Sequence, residues 1–163
     1  MLSIGATIRK AKLKDVPQII KLWQELISCH RETCGYDEPL FRYGEGYLPI
    51  QTKWTEKCIR SRNSLVLVAE HEGKLVGYAN AGIAKLPEIL MHNREIHMNG
   101  IYLLPGFRRK GIGTKLFSEI AKWGKRRKIF SIGLVVSVHN KNAYKSYCKL
   151  GFDGHHIKMS RVI

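Results

Sequence analysis

The chain lacks any apolar run approaching the ~20 residues a membrane-spanning helix needs. Its N-terminus, Met1-Leu2-Ser3-Ile4-Gly5-Ala6, has no basic region followed by a long apolar core. A secretory leader and a membrane partner are therefore not expected, and the cytoplasm is the expected compartment. Cysteine is scarce. Cys29, Cys34, Cys58 and Cys148 form no C-x-x-C pair, and their spacing fits neither a zinc module nor a dense disulfide scaffold. His30 and Cys34 lie one helical turn apart, but structural zinc needs about four ligands, so reduced thiols and no metal are expected. Acidic residues are scarce too: 13 Asp and Glu stand against 28 Lys and Arg, for a net charge of +15. That imbalance favours polyanionic partners: nucleic acid, an acidic protein or a phosphorylated cofactor.

What is present is an ordinary globular composition. The chain has 163 residues, 44% hydrophobic and 25% charged, which implies one domain over residues 1–163. A chain near that size buries roughly 70% of its unfolded surface, enough for one core. The basic residues are uneven. Between Arg108 and Lys128 stand nine Lys and Arg and a single acid, Glu119. The Lys122 to Lys128 part reads as a solvated helix face. Arg108 to Lys110, set against glycines, reads as a phosphate contact.

Thr7 to Lys12 alternates weakly, as an edge strand does. Asp15 reads as a helix cap with Pro17 in the first turn. Val16, Ile19, Ile20, Trp23, Leu26 and Ile27 recur at helical spacing. Glu32 to Pro49, rich in Gly, Pro and aromatics, reads as a loop or broken helix able to form a lid. A helix is expected from about Gln51 to Arg60, buried through Trp54 and Cys58. Ser64 to Glu70 and Leu75 to Ile83 form a hairpin across His71-Glu72-Gly73-Lys74. Asn93 to Leu104 is a fourth strand whose parity shifts near Asn99-Gly100, the mark of a bulge. Gly111 to Arg127 is a helix, Ile129 to Val138 an apolar strand long enough to be central, Asn140 or Lys141 to Leu150 a short helix ended by Gly151, and His155 to Val162 a last strand. These elements predict an α/β (α+β) fold. Its mixed, largely antiparallel sheet has six or seven strands, with helices on both faces.

The strand–loop–helix junction Ile101-Tyr102-Leu103-Leu104-Pro105-Gly106-Phe107-Arg108-Arg109-Lys110-Gly111-Ile112-Gly113 carries most of the functional information. A glycine-bearing turn into a helix collects backbone N–H groups and the positive end of the helix dipole, so it suits phosphate. A dinucleotide fingerprint needs a third glycine where Leu116 stands, and G-x-x-x-x-G-K-[ST] is absent. Arg108 to Gly113 instead matches [QR]-x-x-G-x-[GA], the acetyl-CoA motif of the GNAT superfamily of N-acetyltransferases. Asn140, Ala143, Tyr147 and Gly151-Phe152 match the second motif, N-x-x-A-x-x-x-Y-x-x-x-G-F. Ser64 to Gly77 resembles the family's central hairpin, and the resemblance runs from Ile8 onward.

The resemblance implies the GNAT acyl-CoA N-acyltransferase fold, with acetyl-CoA as acyl donor. The backbone of Arg108, Arg109, Lys110, Gly111, Ile112, Gly113 and Thr114 would hold the pyrophosphate. The pantetheine arm would pair with the strand through Ile101, Tyr102 and Leu103, in a gap opening towards Leu134 to Val136. Asn140 and Ala143 would complete the cofactor site, with Asn140 bonding pantetheine or a local water. Tyr147 would contact the thiol.

Amide formation sets two demands. An alkyl amine arrives protonated and needs a base, and the departing thiolate gains from a proton donor. Tyr147, a phenol with an ordinary pKa near 10, suits the second demand. For the first, many family members have a glutamate six residues before the loop proline. Here that position is Asn99, which cannot take a proton. His97 and Glu95 precede it on the same strand face if no bulge intervenes, and an imidazole titrates near pH 6.5. The strand therefore offers His97, direct or through water, or Glu95 as the base, with Asn99 orienting a water.

The resulting expectation is direct acetyl transfer to a primary amine of a small molecule or peptide. Two alternatives stand beside it: a basic nucleic-acid-binding module, and a GNAT-fold acyl-CoA binder without activity. Nucleic acid is disfavoured, because only Phe117 and Trp123 interleave with the basic helix. Glu32, Asp37, Glu38 and Glu45 would suit a cationic acceptor or simply face solvent. A homodimer is open.

Overall fold

The computed structural model describes residues 5–34 and 43–161. Its order is β1 (Thr7–Lys10), α1 (Val16–Cys34), α2 (Tyr47–Arg60), β2 (Ser64–His71), β3 (Lys74–Lys85), β4 (Arg94–Leu103), α3 (Ile112–Arg126), β5 (Ile132–Leu134) and α4 (Lys141–Lys149). The strands form one sheet ordered β1-β2-β3-β4-β5. The first three pairings are antiparallel, and β4–β5 is parallel.

Side-chain alternation splits the core into two layers. On one face α3 lays Ile112, Leu116, Ile120 and Trp123 onto Leu65, Leu67, Ile96 and Met98. On the other, α1 and α2 lay Ile19, Leu22 and Cys58 onto Val66, Val68, Tyr78 and Tyr102. Each fully buried aliphatic side chain contributes ~1.5–3 kcal/mol. The hairpin turns through Glu72 and Gly73, both with positive φ (49° and 75°), the handedness a two-residue turn requires.

Several expectations are corrected. Asp15 does not cap α1. It closes a 3-10 turn, Leu13–Asp15, by accepting the Lys12 N–H at 2.7 Å. Arg9 of β1 bonds the same carboxylate at 2.7 and 3.0 Å, and reaches Glu70 of β2 at 2.7 Å. This side-chain bonding from Arg9 holds the buried Asp15 carboxyl below its usual range. α2 begins at Tyr47, ahead of the expected Gln51. Glu32 to Cys34 belong to α1, and residues 35–42, with Asp37 and Glu38, lie outside the described residues.

The sheet has five strands among the described residues, against the expected six or seven. The segment from His155 is exposed and in no strand through Arg161, and Val162 lies outside the described residues. The apolar run Ile129 to Val138 is neither one strand nor central. Ile129 is drawn into the end of α3 by its N–H bond to Gly124 O at 3.0 Å. Only Ile132–Leu134 pair, at the sheet edge, and Val135 is 86% exposed. Apolar content alone does not make a strand where the neighbouring strand has turned away.

Candidate functional site

The site begins at a register slip. Asn80 of β3 pairs with Gly100, but the next residue, Ala81, pairs with Met98, so Asn99 is an extra residue on β4. A bulge bends the strand that carries it. On the other side of β4, pairing with β5 stops at Met98–Leu134. From Asn99 to Leu103 the outer edge of β4 faces no strand among the described residues. Leu104 N–H donates to Val76 O at 2.9 Å. Ladder parity therefore turns the polar groups of Ile101 and Leu103 outward, and those of Tyr102 towards β3. Leu103 O already accepts from Arg108 Nε at 2.8 Å; Ile101 has no such partner.

Beyond β4, a 3-10 turn (Pro105–Phe107) leads to Arg109 with φ 59° and Gly111 with φ 76°. Gly111 starts α3 without any side-chain cap. The first backbone bond into the helix is Lys115 N–H to Gly111 O at 3.0 Å. The N–H groups of Ile112, Gly113 and Thr114 thus have no acceptor among the described residues, and they sit at the positive end of a 15-residue helix. A Cβ on Gly113 would lie 3.7 Å from Leu103 Cδ1, so this helix start abuts the unpaired edge of β4. Arg108 folds back, its guanidinium 5.3 Å from the Tyr102 ring centroid. Lys110 Nζ lies 5.5 Å from the Phe107 ring centroid.

α4 brings the second motif to the same end. Asn140 caps it: its Oδ1 accepts the Ala143 N–H at 3.1 Å, which leaves the Nδ2 hydrogens for another partner. The Tyr147 ring stands 5.7 Å from Phe152, which stands 5.5 Å from Phe117 of α3. Packing thereby fixes Tyr147 relative to the helix start. Burial pushes its phenol above the ordinary value of 10, and its hydroxyl makes no hydrogen bond among the described residues. Tyr144 is exposed.

On β4 upstream of the bulge, Ile96 and Met98 pack into the α3 layer, which places Glu95 and His97 on the α1–α2 face. The two meet, His97 Nδ1 lying 3.4 Å from Glu95 Oε1. The Glu95 carboxylate lies over Gly133 of β5, where an added Cβ would come within 2.5 Å of Glu95 Oε2. Asn99 lies on this face too, its Nδ2 near Gly82.

Sequence reasoning missed one feature beside the bulge. A cavity of about 290 Å³ opens between α1, α2 and the bulge, bordered by Trp23, Tyr43, Trp54, Tyr78, Asn80 and Asn99. Trp54, expected in the core, is 37% exposed and borders this cavity. The available signal was Asn80, a polar residue inside the apolar strand of Leu75 to Ile83.

Comparison with known proteins bears on the fold and the family. The Acetyltransferase (GNAT) family model matches residues 20–152, and the chain belongs to that family. An uncharacterized N-acetyltransferase of Methanocaldococcus jannaschii is 32% identical over 149 residues, 90% of this chain and 60% of that protein. An N-alpha-acetyltransferase of Sulfurisphaera tokodaii is 28% identical over 152 residues, covering 89% of this chain and 78% of that one. The fold matches a predicted acetyltransferase solved with acetyl-CoA from Clostridium acetobutylicum. The TM-score is 0.76 at 18% identity, over 96% of each chain. Against the mycobacterial relatives it matches at 32% identity, the chain spans 51% of their length. No described helix is long and apolar enough to cross a membrane.

Proposed function

We propose that the chain is a single-domain N-acetyltransferase that moves the acetyl group of acetyl-CoA directly onto a primary amine. One observation carries the reading: the uncapped start of α3 abuts the unpaired outer edge of β4. That pairing of features offers N–H groups for a pyrophosphate and, beside them, backbone groups for an amide-bearing arm. Acetyl-CoA supplies the activated acyl group. Ile112, Gly113 and Thr114 hold its phosphates through their N–H groups, with Arg109 and Lys110 adding charge. Ile101 supplies the outward backbone groups for the arm, because Arg108 already occupies Leu103 O. Asn140 contributes its amide hydrogens.

In the reaction a C–N bond forms and the C–S bond breaks. Tyr147 gives its proton to the departing sulfur and is reprotonated by the second proton that the attacking nitrogen releases as the amide forms, relayed through solvent. Its buried phenol stays protonated at neutral pH, as that role requires. His97, paired with Glu95, takes the proton that the ammonium group must lose, through water. Asn99 orients that water. The test is a thermal-shift titration with acetyl-CoA, followed by free-thiol release with a panel of amines. A rise in melting temperature and amine-dependent thiol release are expected. A shift without release for any amine would favour an inactive acyl-CoA binder, and no shift would remove the reading.

A further inference from the structure

Among the described residues, two buried side-chain polar atoms have no hydrogen-bond partner: Tyr78 Oη and Asn80 Oδ1. Both residues border the same cavity. Tyr78 is 4% and Asn80 3% exposed, so neither is satisfied by bulk water. An orphaned buried polar atom costs the folded state the hydration it gave up. Two such atoms on residues that line one cavity are a standing cost that a bound hydrogen-bond donor would relieve. The register gives them a place. Tyr78 pairs with Tyr102 and Asn80 with Gly100, so both stand where β4 bulges. A Cβ on Gly100 would lie 3.5 Å from Tyr78 Oη. The opposite wall is aromatic: the Trp23 and Tyr43 rings stand 5.6 Å apart, edge to face, with Tyr47 against both, and Trp54 borders the opening. None of the lining residues among those described carries a charge.

We propose that this cavity binds the amine acceptor, and that the acceptor is a primary monoamine on an aromatic or apolar body. Its N–H group is received by Asn80 Oδ1 and Tyr78 Oη. The inference rests on the N-acetyltransferase reading and names its substrate class. Asn80 is an obligate acceptor at Oδ1, so it needs a donor. The Tyr78 hydroxyl is held protonated far into the alkaline range by burial, and its lone pairs accept a second N–H. Aromatic faces take an apolar body and attract one ammonium group before it loses its proton. Among the described lining residues no carboxylate receives the further charges of a polycation, which would have to be stripped of water. A cavity of about 290 Å³ stands at the lower end of small-molecule sites.

The test compares tryptamine and phenethylamine with spermidine and kanamycin as acceptors, with acetyl-CoA binding followed separately by thermal shift. Both monoamines should be acetylated, with kcat/KM at least tenfold above either polycation. Tyr78→Phe and Asn80→Leu should each raise the KM for phenethylamine about tenfold or more, the loss of one buried hydrogen bond. The acetyl-CoA shift should be unchanged. In the same variants the ligand-free protein should melt at a higher temperature, because an orphan polar atom is gone. A structural role for these groups would lower it. Turnover of the polycations alone, no turnover of either monoamine, or an unchanged KM in Tyr78→Phe overturns the proposal. If acetyl-CoA still shifts the melting temperature in those cases, the N-acetyltransferase reading survives. If it does not, both fall together.

Discussion

Asn80 on β3 pairs with Gly100 on β4, and the ladder slips by one residue immediately beside them. The slip sets apart two stretches of one strand. Before it, β4 is held on both sides and presents Glu95 and His97. After it, β4 keeps one partner and leaves the outward groups of Ile101 free.

Gly111 is needed for its backbone angle and not for space. An added Cβ would meet nothing within 4 Å, but φ is 76°. A left-handed residue other than glycine costs ~1–2 kcal/mol, and Asn tolerates it best. Gly111→Val should therefore unseat the start of α3 and abolish the acetyl-CoA thermal shift. Gly111→Asn should retain most of it. Equal loss in both variants would mean that side-chain bulk near the phosphates, not φ, governs the loop.

Tyr147→Phe keeps the ring that packs on Phe152 and removes only the proton. Turnover should fall ~10²–10⁴-fold, the usual contribution of a general acid, while acetyl-CoA affinity holds. Burial raises this phenol, so the acid form persists through neutral pH. Any fall in rate from its ionisation should begin above pH 10. Steady-state kinetics across pH 6–11 decides it. Unchanged turnover would assign Tyr147 to packing.

Glu95 and His97 act together if the base assignment holds. His97→Ala should lower kcat and leave the acetyl-CoA shift intact. Gly133→Ala probes the pair from the neighbouring strand. The new methyl would displace the Glu95 carboxylate, the far end of a flexible side chain, so folding should lose little. A kcat reduction in Gly133→Ala with an unchanged melting temperature supports a positioned pair. No effect in either variant sends the proton to bulk solvent.

Asp15 fastens the first strand. It accepts from Lys12 and twice from Arg9, which also holds Glu70. Its folded pKa is lowered. The stabilisation is thus fully present above the unfolded value of 3.8 and is lost as pH falls through the folded one. Asp15→Asn should cost about 2–3 kcal/mol at pH 7 and flatten the acid limb of stability. Urea midpoints between pH 7 and 2 measure both.

Much of this was legible from local chemistry. Gly111 and Gly73 mark backbone angles, the 3.6-residue spacing of Ile112, Leu116 and Ile120 marks a buried helix face, and the parity break at Asn99-Gly100 marks the bulge. What failed was non-local. Val135 reads as sheet interior in the chain and points to solvent in the fold, because β4 has already turned away. Trp54 sits at helical spacing with Cys58, and its face meets a cavity in place of core. Asn80 and Trp23 are far apart in sequence, so no window of residues reveals the pocket they share.

The unpaired edge of β4 has a consequence for the ligand-free protein. Exposed strand edges are templates for pairing with other chains. Here the edge is set within a molecule of net charge +15, whose like-charge repulsion keeps copies apart at low ionic strength and weakens as salt screens it. Storage of the ligand-free chain in high salt removes that protection while leaving the edge open. An acyl donor seated along β4 as proposed would act as the missing strand and keep the protein in solution.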